Sequence, residues 1–444
     1  MINRLLSFLD ASPVNFLAVR NMAEELRRNG FRCIHPQEPM GQVAAGDKFY
    51  VTKNDSSIYA FQIGRKPLAD TGFHMICAHC DSPTFRIKPN AEMDCEGGLV
   101  KLNTEVYGGP ILSTWFDRPL TLAGRVIVKG DDVMHPRTLL LHARRPLLQI
   151  SNLAIHFNRQ VNDGVKLSRQ KDVLPILGIL SDELERGNLL MNVIVEELNA
   201  SPMAPDGEAV EKRNIRKEDI LDFDLYLADA TPACTFGAHG EFISSGRLDD
   251  LSMCWAGIEA MIADPEVSDT TRVLALFDNE ETGSQTKQGA GSPFLSYMLR
   301  RIALMQSGSE EAYYQAVERA FMVSADNAHA WHPNYNEKYD PTNHPMMGGG
   351  PVIKFNAAQK YASDAASAAV FAGICEQAGV PCQRFVNHSD VAGGSTLGNI
   401  LASSIPLRGV DMGNAILAMH SCRETGSVAD HEYAVKAFTK FYGL

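Results

Sequence analysis

Residues 273–283 read Val-Leu-Ala-Leu-Phe-Asp-Asn-Glu-Glu-Thr-Gly, an apolar run that ends in two adjacent carboxylates. A short apolar run of this kind predicts a buried strand. Neighbouring carboxylates repel each other, so Glu280 and Glu281 are unfavourable at a strand end unless a cation neutralises them or one of them serves as a proton acceptor. The stretch therefore predicts a strand that delivers a metal-binding or acid–base pair.

Other apolar runs lead to polar residues in the same way. These residues are His79 and Asp81 after 73–78, Asp326 after 320–325, and His420 after 415–419. Asp249 and Asp250 instead open a predicted helix. Because ligands of open α/β sheets gather beyond the carboxyl ends of the strands, we expect these residues to converge on one pocket. The layout predicts a metallohydrolase.

A dinuclear metal site needs about five or six side-chain ligands, one of them a bridging carboxylate. We predict Asp249 as the bridge, His79 and Asp326 as ligands of one metal, and Glu281 and His420 as ligands of the other. Imidazole and carboxylate ligands suit zinc, cobalt or manganese.

Two carboxylates remain for other roles. Glu280 is predicted to act as general base on the attacking water and later to donate a proton to the leaving amine. Asp81, two residues after His79, is predicted to accept the second ring N–H of that histidine and fix its tautomer.

Each of these residues has a commoner interpretation when taken alone. Asp249 or Asp250 is most simply a helix cap, and an isolated histidine at a strand end is usually a hydrogen-bonded surface residue. His156, within an apolar stretch, is most simply a core or surface residue. The histidines in polar loops are read as solvated or structural: His329, His332, His344 and His388. Only the conjunction of two His, two Asp and the Glu-Glu pair favours a metal site.

The 444 residues favour two domains. Residues 90–233 are β-rich, with a polar loop at 201–208, whereas strands alternate with longer helices on either side. Candidate ligands lie on both sides, so 90–233 is predicted to be an insertion into a discontinuous catalytic domain, 1–89 and 234–444. The predicted helices are 12–30, 251–263, 292–306, 310–319 and 362–378, and the predicted strands include 272–277 and 320–325.

A formal net charge of −12 and the lack of a dense Lys and Arg cluster argue against nucleic acid and anionic membranes as partners. No apolar run reaches membrane-spanning length, and the N-terminal residues do not form a signal peptide. Nine cysteines, an odd number in a long chain, favour reduced thiols and a cytoplasmic location.

Five motifs resemble, in order, those of the M18 aspartyl aminopeptidases. They are residues 78–83 (Ala-His-Cys-Asp-Ser-Pro), 246–251 (Gly-Arg-Leu-Asp-Asp-Leu), 278–284 (Asp-Asn-Glu-Glu-Thr-Gly-Ser), 324–330 (Ser-Ala-Asp-Asn-Ala-His-Ala) and 418–424 (Ala-Met-His-Ser-Cys-Arg-Glu). The resemblance runs nearly end to end, although Cys80 stands where many relatives carry Thr. It implies a zinc-exopeptidase-like α/β/α domain with a mixed central sheet, and a cocatalytic di-zinc enzyme that removes Asp or Glu from peptide N-termini.

The resemblance also implies an assembly. The insertion is expected to form a dimerisation domain, and six dimers are expected to build a tetrahedral dodecamer. His156 matches a histidine that reaches a neighbouring subunit's active site and stabilises the developing oxyanion.

Residues 350–356 and 359–361 match positions that the family associates with recognition of a substrate carboxylate. Lys354 would supply a positive charge and Tyr361 a hydroxyl donor. Without the resemblance, Lys354 would be read as an exposed strand lysine. Two alternatives to the acidic aminopeptidase stay open: a related di-zinc aminopeptidase or deacylase with another specificity, and a catalytically silent scaffold that binds peptides or metal.

Overall fold

The computed structural model of the protein describes residues 1–180, 186–207, 210, 214–264 and 266–444. Glu208, the last residue of the predicted loop 201–208, lies outside the described residues, as do 181–185 and 211–213 of the predicted insertion. None of the helices within the described ranges is both long enough and apolar enough to cross a lipid bilayer.

The described residues form ten α-helices and twenty strands. The helices are α1 (Ile2–Ala11), α2 (Asn15–Arg28), α3 (Leu68–Thr71), α4 (Leu189–Ala200), α5 (Leu248–Ala263), α6 (Phe294–Ser307), α7 (Glu310–Arg319), α8 (Ala365–Ala378), α9 (Leu397–Ser404) and α10 (Val428–Tyr442). The strands are β1 (Arg32–Cys33), β2 (Lys48–Lys53), β3 (Ser57–Gln62), β4 (Phe73–His79), β5 (Thr84–Asp94), β6 (Leu99–Tyr107), β7 (Leu120–Asp132), β8 (His135–His142), β9 (Ile176–Ile179), β10 (Ile220–Asp229), β11 (Cys234–Phe236), β12 (Phe242–Ser245), β13 (Thr271–Phe277), β14 (Phe321–Ala325), β15 (Ala328–His329), β16 (Val352–Phe355), β17 (Gln383–Val386), β18 (Arg408–Gly413), β19 (Ala415–Ile416) and β20 (Glu424–Ser427).

The central sheet has nine strands in the order β1-β2-β3-β13-β4-β14-β18-β16-β17. Strands β13, β4, β14 and β18 run parallel to one another, whereas β3 and β16 run antiparallel to their inner neighbours. The sheet is therefore mixed, as expected. Phe277 of β13 pairs with His79 of β4, so these strands end at the same edge. The site is built there.

Strand β13 shows why the sheet is covered on both faces. Leu274 and Leu276 join one buried apolar cluster, and Val273, Ala275 and Phe277 join the other. Successive side chains of a strand point to opposite faces, so an unbroken apolar run requires a helical layer on each side. Helices α1, α2, α5, α8 and α10 cover one face, and α3, α6, α7 and α9 cover the other. The α/β class is confirmed.

A second sheet of six antiparallel strands, in the order β8-β7-β10-β5-β6-β9, lies between β4 and β11 in the sequence. It has its own apolar core, to which α4 contributes Leu190, Ile194 and Leu198. The sheet starts at Thr84 and ends at Asp229. The domain boundaries at 90 and 233 and the role in dimerisation stay predictions.

Two local predictions are wrong. Helix α2 begins at Asn15 and not at Ser12, because the buried Ser12 hydroxyl accepts a hydrogen bond from Asn21 Nδ2 (3.0 Å) instead of capping the first turn. The predicted strand 415–419 is only the two-residue β19, which pairs with β15 outside the central sheet. Ala418 has a φ of 54°, so the chain leaves the extended conformation before His420.

Candidate metal centre

Among the described residues there are three groups of potential metal ligands, and two of them share Asp249. The first contains His79, Asp249, Asp250 and Asp326, and the second contains Asp249, Glu281 and His420. The third contains His79, Glu280 and Glu281. Within each group the potential ligand atoms lie within 4.8 Å of one another. The structure thus brings together all five predicted ligands and adds Asp250, with Asp249 in the shared position.

The carboxylate of Asp249 faces a histidine on each side. Its Oδ1 atom lies 3.6 Å from His79 Nε2, and its Oδ2 atom lies 3.4 Å from His420 Nε2. His420 Nε2 is also 3.3 Å from Glu281 Oε1. Among the described residues, the buried atoms Asp249 Oδ1 and Glu281 Oε1 accept no hydrogen bond. Since burying an unpartnered carboxylate oxygen is costly, this donor set fits divalent cations.

The pKa values of the carboxyl groups also indicate that the site binds cations. Burial and the neighbouring carboxylates raise the pKa of Glu280 to about 9 and that of Glu281 to about 7. Burial likewise raises the pKa of Asp326, although Lys354 opposes the shift. Without a cation the ionised form of these carboxyls is disfavoured, whereas a bound divalent cation would stabilise it.

The two histidines behave differently from the carboxylates. Burial alone lowers the pKa of His420, but the adjacent carboxylates of Asp249 and Glu281 outweigh it and raise the pKa to about 11. The adjacent carboxylates of Asp249 and Asp81 likewise raise the pKa of His79 despite burial. The same histidines hold the pKa of Asp249 below its ordinary value. In the absence of a cation, the positive charge of the protonated histidines therefore compensates the negative charge of Asp249.

Backbone carbonyls orient both rings. His79 Nδ1 lies 3.0 Å from the Asp81 carbonyl oxygen, and His420 Nδ1 lies 3.1 Å from the Gly109 carbonyl oxygen. Each ring therefore donates through Nδ1 and presents Nε2 to the shared carboxylate.

Asp81 has a wider role than predicted. Its Oδ1 atom is 3.4 Å from His79 Nδ1, farther than its own carbonyl oxygen. The carboxylate accepts the backbone N–H groups of Glu280 and Glu281, each at 3.1 Å, and the Tyr107 hydroxyl at 2.7 Å. Asp81 therefore fixes the turn that carries the Glu-Glu pair.

Glu424 is another carboxylate for which the sequence predicted no role. It is 2 % exposed, and it accepts the backbone N–H of Asp249 at 3.0 Å and that of His420 at 2.8 Å. Burial and Asp249 raise its pKa to about 8. Because Glu424 joins the two backbone segments, it holds the shared carboxylate and His420 in register. The only sequence feature that could have indicated a role for Glu424 was its position at the end of the motif 418–424.

Lys354 is buried on β16, so the interpretation as an exposed strand lysine is wrong. Its ammonium group lies 3.2 Å from the Asn327 carbonyl oxygen and 3.5 Å from Asp326 Oδ1, and the side chain is 3 % exposed. Burial lowers its pKa, but Asp326 and Tyr361 raise it above its ordinary value. The Tyr361 ring centroid lies 5.3 Å from the ammonium nitrogen. The structure thus places both predicted recognition residues together beside the metal cluster.

His329 is exposed, as the sequence suggested, but it lies near the site. It ends β15, three residues after Asp326, and its ring lies 6.0 Å from that of Phe385. The side chain is exposed, and its pKa is lowered by partial desolvation of the ring and by the charge of Lys354.

His156 lies apart from these groups in the same chain. It occupies an exposed turn between β8 and β9, and it is absent from each potential ligand group among the described residues. Its neighbours Leu153, Ile155 and Phe157 are 61 %, 52 % and 80 % exposed. An exposed apolar segment of this kind is typical of a protein–protein contact.

Comparisons with known proteins agree along the whole chain. A family model described as aminopeptidase I zinc metalloprotease (M18) matches residues 8–442. A probable M18 family aminopeptidase 2 from Clostridium acetobutylicum is 49 % identical over 441 residues, which cover 99 % of this chain and 98 % of the relative. Its counterpart from Clostridium novyi is 46 % identical over 442 residues, covering 100 % and 98 %.

Solved structures give the same result for the fold. The chain is similar to one in a cryo-electron microscopy structure of an Ape4 and Nbr1 complex, with 36 % identity, a TM-score of 0.94, and coverage of 99 % of this chain and 85 % of that one. It also resembles an M18 aminopeptidase from Thermotoga maritima, with 22 % identity, a TM-score of 0.84, and coverage of 99 % and 95 %.

Proposed function

The chain belongs to the M18 family and is a metal-dependent aminopeptidase, and from this premise we propose that it removes N-terminal Asp and Glu residues from peptides through a dinuclear site. The observation that carries the proposal is the pair of ligand groups sharing Asp249, with the buried ammonium of Lys354 beside one of them. The shared carboxylate supports two cations, and the ammonium supports an acidic substrate.

We assign His79, Asp249 and Asp326 to one cation and Asp249, Glu281 and His420 to the other. Zinc is the expected metal, with cobalt or manganese as substitutes. Bound cations would polarise the scissile carbonyl and hold the free α-amine of the substrate. The two unpartnered buried carboxylate oxygens support this assignment.

Glu280 is the proposed general base. It belongs to a group with His79 and Glu281 but not to either of the two groups that contain Asp249. Its backbone N–H is fixed on Asp81, so its carboxylate is held at the edge of the cluster. In this position Glu280 takes a proton from the attacking water and returns it to the leaving amine.

Specificity is assigned to Lys354 and Tyr361. An ammonium group has three donors, of which one bonds the Asn327 carbonyl oxygen and another faces Asp326 Oδ1 in an ion pair at 3.5 Å. The third donor is then left for a carboxylate of the substrate. Tyr361, whose ring centroid lies 5.3 Å from the ammonium nitrogen, is proposed to supply a hydroxyl donor.

The assembly is proposed to complete the site. A second copy of the chain would cover the exposed segment around His156 and receive that histidine in its active site, where the ring stabilises the oxyanion of the tetrahedral intermediate. We propose dimers that build a dodecamer; a yeast relative of 23 % identity has been solved as a dodecamer.

The proposal is tested with peptides that begin with Asp, Glu, Ala or Leu, assayed on purified protein before and after chelation and after restoration of zinc, cobalt or manganese. Metal-restored cleavage confined to Asp and Glu is expected. Cleavage of Leu or Ala peptides, or of N-acylated amino acids, would keep the metal chemistry and reject the acidic specificity. The absence of cleavage with every metal would favour a silent scaffold.

A further inference from the structure

Residues 107–109, at the end of β6, connect the second sheet to the candidate metal centre. They read Tyr-Gly-Gly, and each of them contacts a different part of the site. The sheet that supplies them lies outside the α/β layers that carry the predicted ligands.

Tyr107 acts on the His79 side of the site. Its hydroxyl lies 2.7 Å from Asp81 Oδ2 and 2.8 Å from Asn279 Nδ2. A carboxylate accepts and an amide nitrogen donates, so the hydroxyl donates to Asp81 and accepts from Asn279. Because Asp81 also holds the backbone N–H groups of the Glu-Glu pair, Tyr107 fixes both the carboxylate and the turn preceding Glu280.

Gly109 acts on the opposite side of the site. Its carbonyl oxygen accepts the Nδ1–H of His420 at 3.1 Å, and the backbone N–H of Ile111 binds the His420 carbonyl oxygen at 2.9 Å. Gly109 thus holds the His420 ring, and Ile111, two residues further along the chain, holds the His420 backbone. This matters because His420 follows a turn and not a strand of the central sheet.

Gly108 sits between these two contacts, directly against Glu281. Its φ is +68°, and a Cβ atom at this position would lie 3.1 Å from the Cβ atom of Glu281. That separation is tighter than an ordinary van der Waals contact, so a side chain here would push against the proposed ligand.

We propose that residues 107–109 form a positioning element through which the second sheet sets both halves of the metal centre, so that metal affinity depends on this segment. The inference rests on the proposed ligand roles of His79, Glu281 and His420. It adds that the α/β domain alone does not define the site.

The first test replaces Tyr107 with Phe and measures zinc affinity by competition with a chromophoric chelator, together with kcat and KM. Outer partners of metal ligands typically change affinity or activity by about 10- to 100-fold, so a loss of that size is expected in zinc affinity and kcat, with little change in KM. The matched control is Tyr226→Phe. Its ring packs edge to face on Tyr107 with centroids 5.9 Å apart, and among the described residues its hydroxyl bonds neither Asp81 nor Asn279. Zinc affinity of Tyr107→Phe within about twofold of the control would overturn the proposal.

The second test replaces Gly108 with Ala and compares it with Gly187→Ala. Both glycines belong to the segment between β4 and β11 and have nearly equal φ values, +68° and +69°, but a Cβ at Gly187 would meet nothing within 4 Å. The backbone strain that Ala meets at a positive φ is therefore matched between the two positions. Only Gly108→Ala is expected to weaken zinc binding by about tenfold or more. Equal zinc affinities of the two variants would contradict the positioning role. This comparison can still be made if Tyr107→Phe fails to fold.

Zinc affinity is measured without a substrate, so these outcomes do not depend on the proposed specificity. If the wild-type protein binds zinc and cleaves neutral peptides, the acidic specificity fails and the positioning element is still testable. If Tyr107→Phe binds zinc like its control while the wild type cleaves acidic peptides, only the positioning element fails.

Discussion

The ammonium nitrogen of Lys354 lies 3.5 Å from the Oδ1 atom of Asp326. One side chain is the proposed recognition group for an acidic substrate, and the other is a proposed metal ligand. Specificity and metal binding therefore share an ion pair that is almost fully buried.

Replacing Lys354 with Met is expected to lower kcat/KM for peptides with N-terminal Asp or Glu by about 10- to 100-fold relative to peptides with N-terminal Ala. A hydrogen bond to a charged group contributes about 1.5–3 kcal/mol, and 1.4 kcal/mol corresponds to a tenfold change. The control is Lys338→Met, which removes an exposed lysine. An unchanged ratio between acidic and neutral peptides would reject Lys354 as the recognition group.

Replacing Glu280 with Gln is expected to reduce kcat by about 10²- to 10⁴-fold while the zinc content stays at the wild-type value. The amide is nearly isosteric with the carboxylate but cannot take up a proton from water. Glu281→Gln is the matched control, because the same change at the neighbouring residue should lower the zinc content. Retained turnover by Glu280→Gln would exclude it as the general base.

Replacing Asp249 with Ala is expected to reduce bound zinc more than replacing Asp326 with Ala, because Asp249 is the residue common to both ligand groups. Zinc per chain is measured by mass spectrometry after gel filtration. Loss of equal amounts of zinc from the two variants would argue against a bridging carboxylate.

The positions of His79 and Asp326 were predictable from sequence because each lies at the end of a mainly apolar run. Such runs form buried parallel strands whose carboxyl ends meet at one edge. His420 was predicted as a ligand candidate for the wrong structural reason. Its apolar run is long enough to suggest a strand, but the backbone turns at Ala418. Composition does not reveal a positive φ at a residue other than glycine.

The contacts that orient the ligands were not predictable in this way. Gly109 and His420 are 311 residues apart in the sequence, and Tyr107 and Asn279 are 172 residues apart. Nothing in the sequence around Tyr107 and Gly109 predicts that they contact potential metal ligands. Their role depends on how the second sheet docks on the first, and hydrophobic periodicity describes each element only by itself.

Replacing His74 with Phe is expected to make stability less sensitive to acid. Burial lowers the pKa of His74 to about 4, and its ring stacks on Phe441 with centroids 4.8 Å apart. In the unfolded chain a histidine takes up its proton near pH 6.5, so the folded state loses up to about 3 kcal/mol as the pH falls from about 6.5 to about 4. Phe keeps the stacking and removes this loss.

The test of His74 follows the urea midpoint of unfolding between about pH 7 and pH 5 for the wild type and the variant. The control His239→Phe alters an exposed histidine and should keep the wild-type dependence on pH. Equal pH dependence of His74→Phe and the wild type would show that the buried imidazole does not control the acid response.

Mixing His156→Ala chains with Glu280→Gln chains is expected to restore part of the activity that each variant lacks alone. His156 lies on an exposed turn, apart from the ligand groups of its own chain, so the proposal assigns its ring to the active site of a second copy. In a mixed assembly, some sites combine an intact Glu280 with an intact His156 from the neighbour.

To test this, the chains are unfolded and refolded together, co-assembly is verified with two affinity tags, and hydrolysis of a Glu peptide is measured. His156→Ala mixed with His239→Ala, Glu280→Gln double-mutant chains should recover equally well, because His239 is exposed at another position. Proven co-assembly without recovered activity would mean that each subunit uses its own residues only.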